Sequence, residues 1–128
     1  MSFIALVLTA KIAVTGVFAA LPFLVLTPAR IASTTGFDVS ATPLFRLYGV
    51  AVTALLVGYA SGFWVIASGQ FPWGVVAMGV VSNGVGAITL FATGFWRQAT
   101  SMTFFITGVA ILLIIAAVTH QHALVPLW

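Results

Sequence analysis

Few side chains in this sequence can do chemistry, and those with the most informative positions are Lys11, Tyr59, Asn83 and His120. The first three lie inside long apolar segments, where a charged or amide group is costly to bury and therefore indicates a functional site. Lys11 lies about 12 Å into the first of these segments, at a helical rise of about 1.5 Å per residue. In the alternative interpretation, the flexible lysine stem carries the ammonium group to the nearer membrane surface.

The segments that carry Lys11, Tyr59 and Asn83 place the three side chains at a similar depth if neighbouring segments run antiparallel. An ammonium, a phenol and an amide at one level could bind a small polar headgroup, such as a quinone carbonyl. The alternative is that the Asn83 amide bonds across to a hydroxyl or a carbonyl and holds two helices together. With His120, these three residues are the candidate cofactor-binding residues.

His120 follows the fourth apolar segment and stands four residues after Ala116. Ala-x-x-x-His resembles the bacteriochlorophyll-ligand pattern of light-harvesting polypeptides, in which a small residue one turn earlier makes room for the ring; Trp128 comes further on. The resemblance implies a pigment at His120. The alternative is a pair of solvated interfacial histidines, His120 and His122. Their spacing of two does not put them on one helical face, so we expect no metal site.

The remaining composition excludes several classes of chemistry. Asp38 is the only acid, and mechanisms that use paired carboxylates need more. Cysteine is absent from the sequence, which excludes disulfides and thiolate metal sites. The sequence has no phosphate-binding loop or dinucleotide fingerprint, and its four Lys and Arg residues are too scattered for nucleic-acid binding. We expect a protein that is not an enzyme, in which Asp38 pairs with Arg30 or Arg46.

The elements that position these residues follow from the apolar composition. Hydrophobic residues make up 62% of the 128 residues and charged residues 4%, and the mean hydropathy is +1.27. A soluble domain of this size cannot bury so large an apolar surface, so the excess must face lipid. A helix needs about 20 apolar residues to cross a bilayer. The sequence therefore predicts one all-α integral membrane domain, a four-helix transmembrane bundle with helices over about residues 3–26, 44–68, 72–93 and 102–119.

Proline and tryptophan mark the ends and irregularities of these segments. Pro22 is expected to bend the first helix, and Pro43 is well placed to open the second. The segment between them, residues 27–43, contains Pro, Gly, Ser and Thr and is predicted to be an irregular loop. The tryptophans fall near the predicted helix ends, as in an aromatic belt at the membrane surface: Trp64, Trp73, Trp96 and Trp128.

The basic residues predict the orientation in the membrane. Arg30 and Arg46 flank the 27–43 loop and Arg97 lies in the link before the fourth helix, whereas the other link and both tails carry no Lys or Arg. By the positive-inside rule, the loop and the Arg97 link are cytoplasmic and both termini face the opposite side. We expect the membrane to be a bacterial inner membrane, in which that opposite side is periplasmic. The first residues lack the basic region of a signal peptide, so we expect the first helix to stay in the membrane.

Small residues recur at helical spacing along three segments and predict close helix packing. The stripes are Ala5, Thr9 and Ala13 in the first segment, with Gly16 and Ala20 on a neighbouring ridge, Ala54, Gly58 and Gly62 in the second, and Gly79, Ser82, Asn83 and Gly86 in the third. Each stripe can accept another helix at short range. The sequence leaves open whether one of them serves another subunit.

The opening of the second segment resembles that of a known group of membrane proteins. Its residues are Pro43-Leu44-Phe45-Arg46-Leu47-Tyr48-Gly49, followed by Gly58 and Gly62. They are similar to the Arg-x-x-Gly-type element and the glycine-rich second helix of the DoxX-like group of small four-helix bacterial membrane proteins. Several members of that group are subunits of, or accessories to, quinone-linked membrane oxidoreductases. The resemblance implies a role beside an electron-transport enzyme.

Three functions are compatible with the sequence. The first is a non-catalytic accessory subunit that packs, in the lipid bilayer, against other subunits of a larger bacterial membrane complex, quinone-linked or photosynthetic. The second is a membrane module that binds a pigment, a haem or a quinone; the cofactors considered are a quinone, a lipid and bacteriochlorophyll. The third is a small-solute transporter, which is disfavoured because the apolar segments contain no Asp or Glu to couple protons.

Overall fold

The computed structural model describes residues 1–127, which are mostly helical. The helices are α1, Phe3–Thr15; α2, Leu21–Val25; α3, Pro28–Thr35; α4, Thr42–Ala67; α5, Trp73–Ala92; α6, Thr100–Val118; and α7, His120–Ala123. A π-helical segment, Gly16–Ala20, joins α1 to α2, and 3-10 turns occupy Val39–Ala41 and Phe95–Arg97. Over the described residues the chain forms no β-strand, which confirms the all-α prediction.

Four helical stretches are long and apolar enough to cross a membrane, which confirms the predicted number. They are Phe3–Val25, Val39–Ala67, Trp73–Ala92 and Thr100–Val118, and their mean hydropathy lies between 1.8 and 2.5. The second stretch begins at Val39 rather than at the predicted residue 44. The reason is that the 3-10 turn Val39–Ala41 runs directly into α4 at Thr42.

The chain divides into two compact units, which are described separately. We call Ala10–Ala60 the central unit, and Met1–Thr9 together with the residues from Ser61 onward the terminal unit. The chain passes between the units within α1 and within α4. The expected single transmembrane domain stays a prediction.

In the central unit, the first membrane-length helix is interrupted one turn ahead of Pro22. The Leu21 N–H donates to the Gly16 carbonyl, five residues earlier, which is the hydrogen bond of a π-helix. A proline has no N–H to donate and its ring clashes with the carbonyl four residues before it, here that of Phe18. The wider π turn over Gly16–Ala20 accommodates this misfit, and α2 then begins at Leu21 with Pro22 in its first turn.

The segment after α2 contains a helix, so the prediction of an irregular 27–43 loop is wrong for Pro28–Thr35. The Thr27 hydroxyl oxygen accepts a hydrogen bond from the Arg30 N–H at 3.4 Å and caps the start of α3. Gly36 ends the helix with φ at 76°, a left-handed conformation that favours glycine. Ile31 is buried on one face of α3. Pro, Thr and Gly here are helix-end signals rather than loop signals.

Arg46 joins the start of α4 to the end of α2. Its guanidinium group donates two hydrogen bonds, to the Phe23 carbonyl at 2.7 Å and to the Leu26 carbonyl at 2.6 Å. One turn further along α4, Gly49 lies against α2 so closely that a Cβ atom there would stand 3.1 Å from Phe23 Cβ and 3.2 Å from Leu24 Cδ2. The Arg-x-x-Gly pattern therefore has a structural explanation, in which Arg46 caps α2 and Gly49 allows the close approach.

Aromatic rings surround this junction. The Phe23 ring stacks on Phe45 with centroids 5.2 Å apart and meets Tyr48 edge-on at 5.6 Å. Phe37, from the segment before α4, meets Phe45 edge-on at 5.6 Å. Rings in these arrangements add stabilisation beyond that of the buried area. The cluster packs the connecting segment against both helices at the end where Arg46 lies.

Asp38 has a local role in the same segment. Its Oδ1 atom accepts a hydrogen bond from the Ser40 N–H at 2.8 Å and caps the 3-10 turn. Hydrogen bonds from the side chain and the backbone of Ser40 hold the pKa of Asp38 below its usual value. Arg46 bonds to carbonyls instead. The structure thus gives each of the two groups a partner other than the ion pair that the sequence analysis predicted.

In the terminal unit, α5 and α6 pack along their buried faces. The buried residues are Val76, Gly79, Asn83 and Ala87 on α5 and Thr103, Val109, Ala110, Leu113 and Ala116 on α6. A Cβ atom on Gly86 would lie 3.4 Å from the Ile106 side chain, and one on Gly62 would lie only 2.8 Å from Leu8 Cδ1. Small residues therefore permit close helix contact at these positions, as in other membrane helices.

The two ends of the described chain pair with each other in the terminal unit. Ser2 and Pro126 form an antiparallel bridge, and the Leu127 N–H donates to the Met1 carbonyl at 3.1 Å. Ala123, in α7, is buried. The apolar tail is thus held by the chain's own first residues.

The tryptophans of the described chain lie near helix ends. Trp64 stands three residues before the last residue of α4 and is 85% exposed, and Trp73 is the first residue of α5. Trp96 lies in the 3-10 turn Phe95–Arg97. The fourth tryptophan of the predicted belt, Trp128, lies outside the described residues.

The hydrogen bonds of Arg46 lead to a prediction about the stability of the protein. Replacing Arg46→Met removes two charge-assisted hydrogen bonds and leaves two carbonyls without donors, so we expect the free energy of unfolding to fall by about 2–4 kcal/mol. Arg46→Lys should lie between the two, because an ammonium group does not reproduce the planar fork of the guanidinium. Reversible unfolding in mixed micelles measures the effect. Arg30→Met is the matched control at an exposed arginine, and equal losses for Arg46→Met and Arg30→Met would refute the capping role.

Candidate functional site

Lys11 and Tyr59 lie together in the interior of the central unit. Lys11 belongs to α1 and is 7% exposed, and Tyr59 belongs to α4 and is 1% exposed. The Lys11 Nζ atom lies 6.0 Å from the centroid of the Tyr59 ring, at the outer limit of a cation–π contact. Two of the four candidate residues are therefore brought together by the structure. A buried ammonium group within a membrane-length helix is the strongest single pointer to function in this chain.

The burial of Lys11 does not fit the alternative interpretation, in which the flexible stem carries the ammonium group to the membrane surface. A lysine whose stem reached the membrane surface would expose its terminal atoms, whereas Lys11 is only 7% exposed. The ammonium group thus lies inside the protein, near the Tyr59 ring. Its stem contributes to packing as an apolar side chain would.

Asn83 lies in the terminal unit, on the buried face of α5, and is 2% exposed. Its Nδ2 atom donates to the Gly79 carbonyl at 2.7 Å and to Ser82 Oγ at 3.4 Å. Both of these partners belong to α5 itself. These hydrogen bonds give the buried amide partners within its own helix. The convergence of Asn83 with Lys11 and Tyr59 stays a prediction.

His120 lies at another place in the terminal unit, at the start of α7. Its ring centroid is 5.1 Å from that of Trp73 and 6.0 Å from that of Phe71. Trp73 begins α5, ten residues before Asn83, so the two candidates His120 and Asn83 are about 15 Å apart along that helix. His120 forms an aromatic contact at one end of α5 and does not share a site with Asn83.

The surroundings of His120 bear on the resemblance to a pigment-binding helix. Ala116 is fully buried, so the surface one turn before His120 is filled by the protein. Thr119, with φ at −103° and ψ at 28°, separates α6 from α7, so Ala116 and His120 do not belong to one continuous helix. His120 Nδ1 lies 3.3 Å from the Ala117 carbonyl. This geometry favours a packed interfacial histidine over a ring ligand.

An open apolar groove lies on the central unit beside the π-helical segment. It has a volume of about 380 Å³ and is lined by Ile12, Ala13, Gly16, Val17, Ala20, Leu21, Leu24, Thr53 and Leu56. Three of these residues are small residues singled out on the first segment: Ala13 belongs to the predicted stripe, and Gly16 and Ala20 belong to the neighbouring ridge. These small residues therefore line an indentation that remains uncovered within the central unit.

Comparison of the chain with protein-family models, with curated proteins and with solved structures found no match. The resemblance of residues 43–49 to the DoxX-like group stays a prediction, and the function is argued from the geometry of the two units.

The burial of Lys11 leads to a second prediction about stability. Lys11→Met keeps the length of the side chain and removes its charge. Desolvation of an ammonium group costs several kcal/mol and a desolvated cation–π contact returns about 2 kcal/mol. We therefore expect the free energy of unfolding to stay the same or to rise by about 1–3 kcal/mol. Ile12→Met, on the next residue, controls for the insertion of methionine. A loss of stability confined to Lys11→Met would show that the lysine is structural.

Proposed function

We propose that this protein is a non-catalytic accessory subunit of a larger bacterial membrane complex, and that a transmembrane helix of a partner subunit packs in the apolar groove. The observation that carries the proposal is the groove itself, which is lined by the small residues Ala13, Gly16 and Ala20, the last two within the π segment. The electron-transport role implied by the DoxX-like resemblance is the setting that we favour for this complex.

Helix association in lipid explains why such a groove suits a protein partner. Lipid chains are as apolar as leucine, so helices associate through close van der Waals packing rather than through a hydrophobic driving force. Small residues allow that packing, because they let two backbones approach. A groove lined by Gly16 offers an incoming helix this close approach, and larger side chains such as Leu24 and Leu56 also line it.

Filling the groove tests the proposal. A Cβ atom on Gly16 would meet Leu56 Cδ1 at 3.6 Å, an ordinary contact, so the central unit can accept a side chain there. Gly16→Leu should therefore fold and occupy the groove. Gly108→Leu is the matched control, because a Cβ atom on Gly108 of α6 has no neighbour within 4 Å.

The measurement is purification from native membranes in mild detergent, through an affinity tag inserted after the exposed Gln98, because the tail is held by residues 1 and 2. We expect other membrane subunits to co-elute in fixed proportion with the wild-type chain and with Gly108→Leu. We expect Gly16→Leu to retain about tenfold less, which corresponds to about 1.4 kcal/mol of binding free energy. Elution of the wild-type chain without another membrane protein would reject the accessory role.

We also propose the orientation in which both termini are periplasmic and the 27–43 and Arg97 links are cytoplasmic. The support is the distribution of Arg30, Arg46 and Arg97, together with the positive-inside rule. The sequence contains no cysteine, so single-cysteine variants report one position each. In intact cells, a membrane-impermeant maleimide should label Gln70→Cys, whereas Ser33→Cys should react only after the membrane is opened. The reverse pattern would invert the proposed orientation. Both residues are exposed.

A further inference from the structure

Arg97 is an exposed cation in the terminal unit, at the turn that connects α5 to α6. It closes the 3-10 turn Phe95–Arg97, and its guanidinium carbon lies 5.6 Å from the centroid of the Trp96 ring. Arginine side chains stack on aromatic faces and are oriented by them. Tryptophan offers no lone pair, so it accepts none of the five N–H groups of the guanidinium. Arg97 is therefore placed by Trp96 while its donors stay available.

No acidic side chain of the terminal unit balances the charge of Arg97. Asp38 is the only acidic side chain in the sequence; it belongs to the central unit, where it accepts a hydrogen bond from the Ser40 N–H. Among the described residues, Arg97 forms no ion pair. Both histidines lie beyond the other end of α6, whose 19 residues extend over about 28 Å. The structure thus provides a cation but no anion at this end of the terminal unit.

Next to Trp96, the terminal unit presents two exposed aromatic rings. The Phe91 centroid lies 6.0 Å from that of Trp96 and 6.5 Å from that of Phe104. Phe91, in the last turn of α5, is 42% exposed, and Phe104, about 6 Å along α6 from its first residue, is 59% exposed. We call Arg97, Trp96, Phe91 and Phe104 the Arg97 surface. Along these contacts the surface changes from charged, through the amphipathic tryptophan, to apolar.

We propose that the Arg97 surface binds one anionic phospholipid, independently of the proposed accessory role. The guanidinium group of Arg97 donates hydrogen bonds to the phosphate oxygens, for which its planar fork of donors is suited. The Phe91 and Phe104 rings contact the acyl chains, and Trp96 lies between them at the depth of the headgroup, where tryptophan is enriched. The lipid is anionic because a zwitterionic headgroup brings its own ammonium group, which leaves the charge of Arg97 unbalanced.

Retention of phosphatidylglycerol by the full-length chain in detergent micelles tests the proposal. Native mass spectrometry counts the lipids bound per chain, with phosphatidylcholine of the same acyl chains as the zwitterionic comparison. We expect the wild-type chain to prefer phosphatidylglycerol and Arg97→Gln to bind it about tenfold more weakly, with Arg97→Lys between them. Arg30→Gln is the matched control, because it removes the same charge from an exposed side chain of the central unit. Equal retention of the two lipids, or equal weakening in Arg97→Gln and Arg30→Gln, would overturn the proposal.

Phe104→Ala separates a lipid from a free phosphate ion in the same measurement. We expect it to weaken the binding of phosphatidylglycerol about threefold, because the acyl chains lose an apolar contact. Ile114→Ala, at an exposed residue further along α6, should leave the binding unchanged. A large excess of inorganic phosphate should not displace the lipid, since the ion makes no contact with the aromatic rings. Displacement by inorganic phosphate, or an unchanged affinity in Phe104→Ala, would indicate an anion site alone and overturn the lipid proposal.

Discussion

The guanidinium group of Arg46 determines how the first two membrane-length helices are joined in the central unit. A helix leaves its last carbonyls without donors, and close to lipid little water is present to supply them. Arg46 reaches back from the first turn of α4 and donates to Phe23 and Leu26, on either side of the end of α2 at Val25. The end of one span therefore receives its hydrogen bonds from the start of the next, and the two Nη groups of one guanidinium supply both of them.

That interaction constrains the residues around it. A guanidinium group can reach the carbonyls of α2 only if α4 approaches closely, and Gly49 supplies the missing side chain at the contact. The chain between the helices must then be compact, which the capped helix α3 achieves between Thr27 and Gly36. Phe45, next to Arg46, stacks on Phe23 and fills the space beside the hydrogen bonds. The capping by Arg46, the close contact at Gly49 and the ring packing of Phe45 on Phe23 thus all depend on the same approach of α4 to α2.

Hydropathy was sufficient to predict four helices, because each span is apolar over its whole length. The loop helix α3 was missed because Pro28, Thr27 and Gly36 occur in irregular loops as well as at helix ends, and only the cap geometry separates the two. The position of Lys11 well inside an apolar segment was enough to name it as a candidate site residue, and the structure adds its contact with Tyr59.

The first span places the groove and the buried lysine on opposite faces. Lys11 is 7% exposed and lies near the Tyr59 ring, whereas Ala13, two residues later, is rotated by about 200° and lines the groove. A partner helix seated in the groove therefore would not contact Lys11. The assembly of a complex through the groove and the burial of Lys11 can accordingly be changed independently of each other.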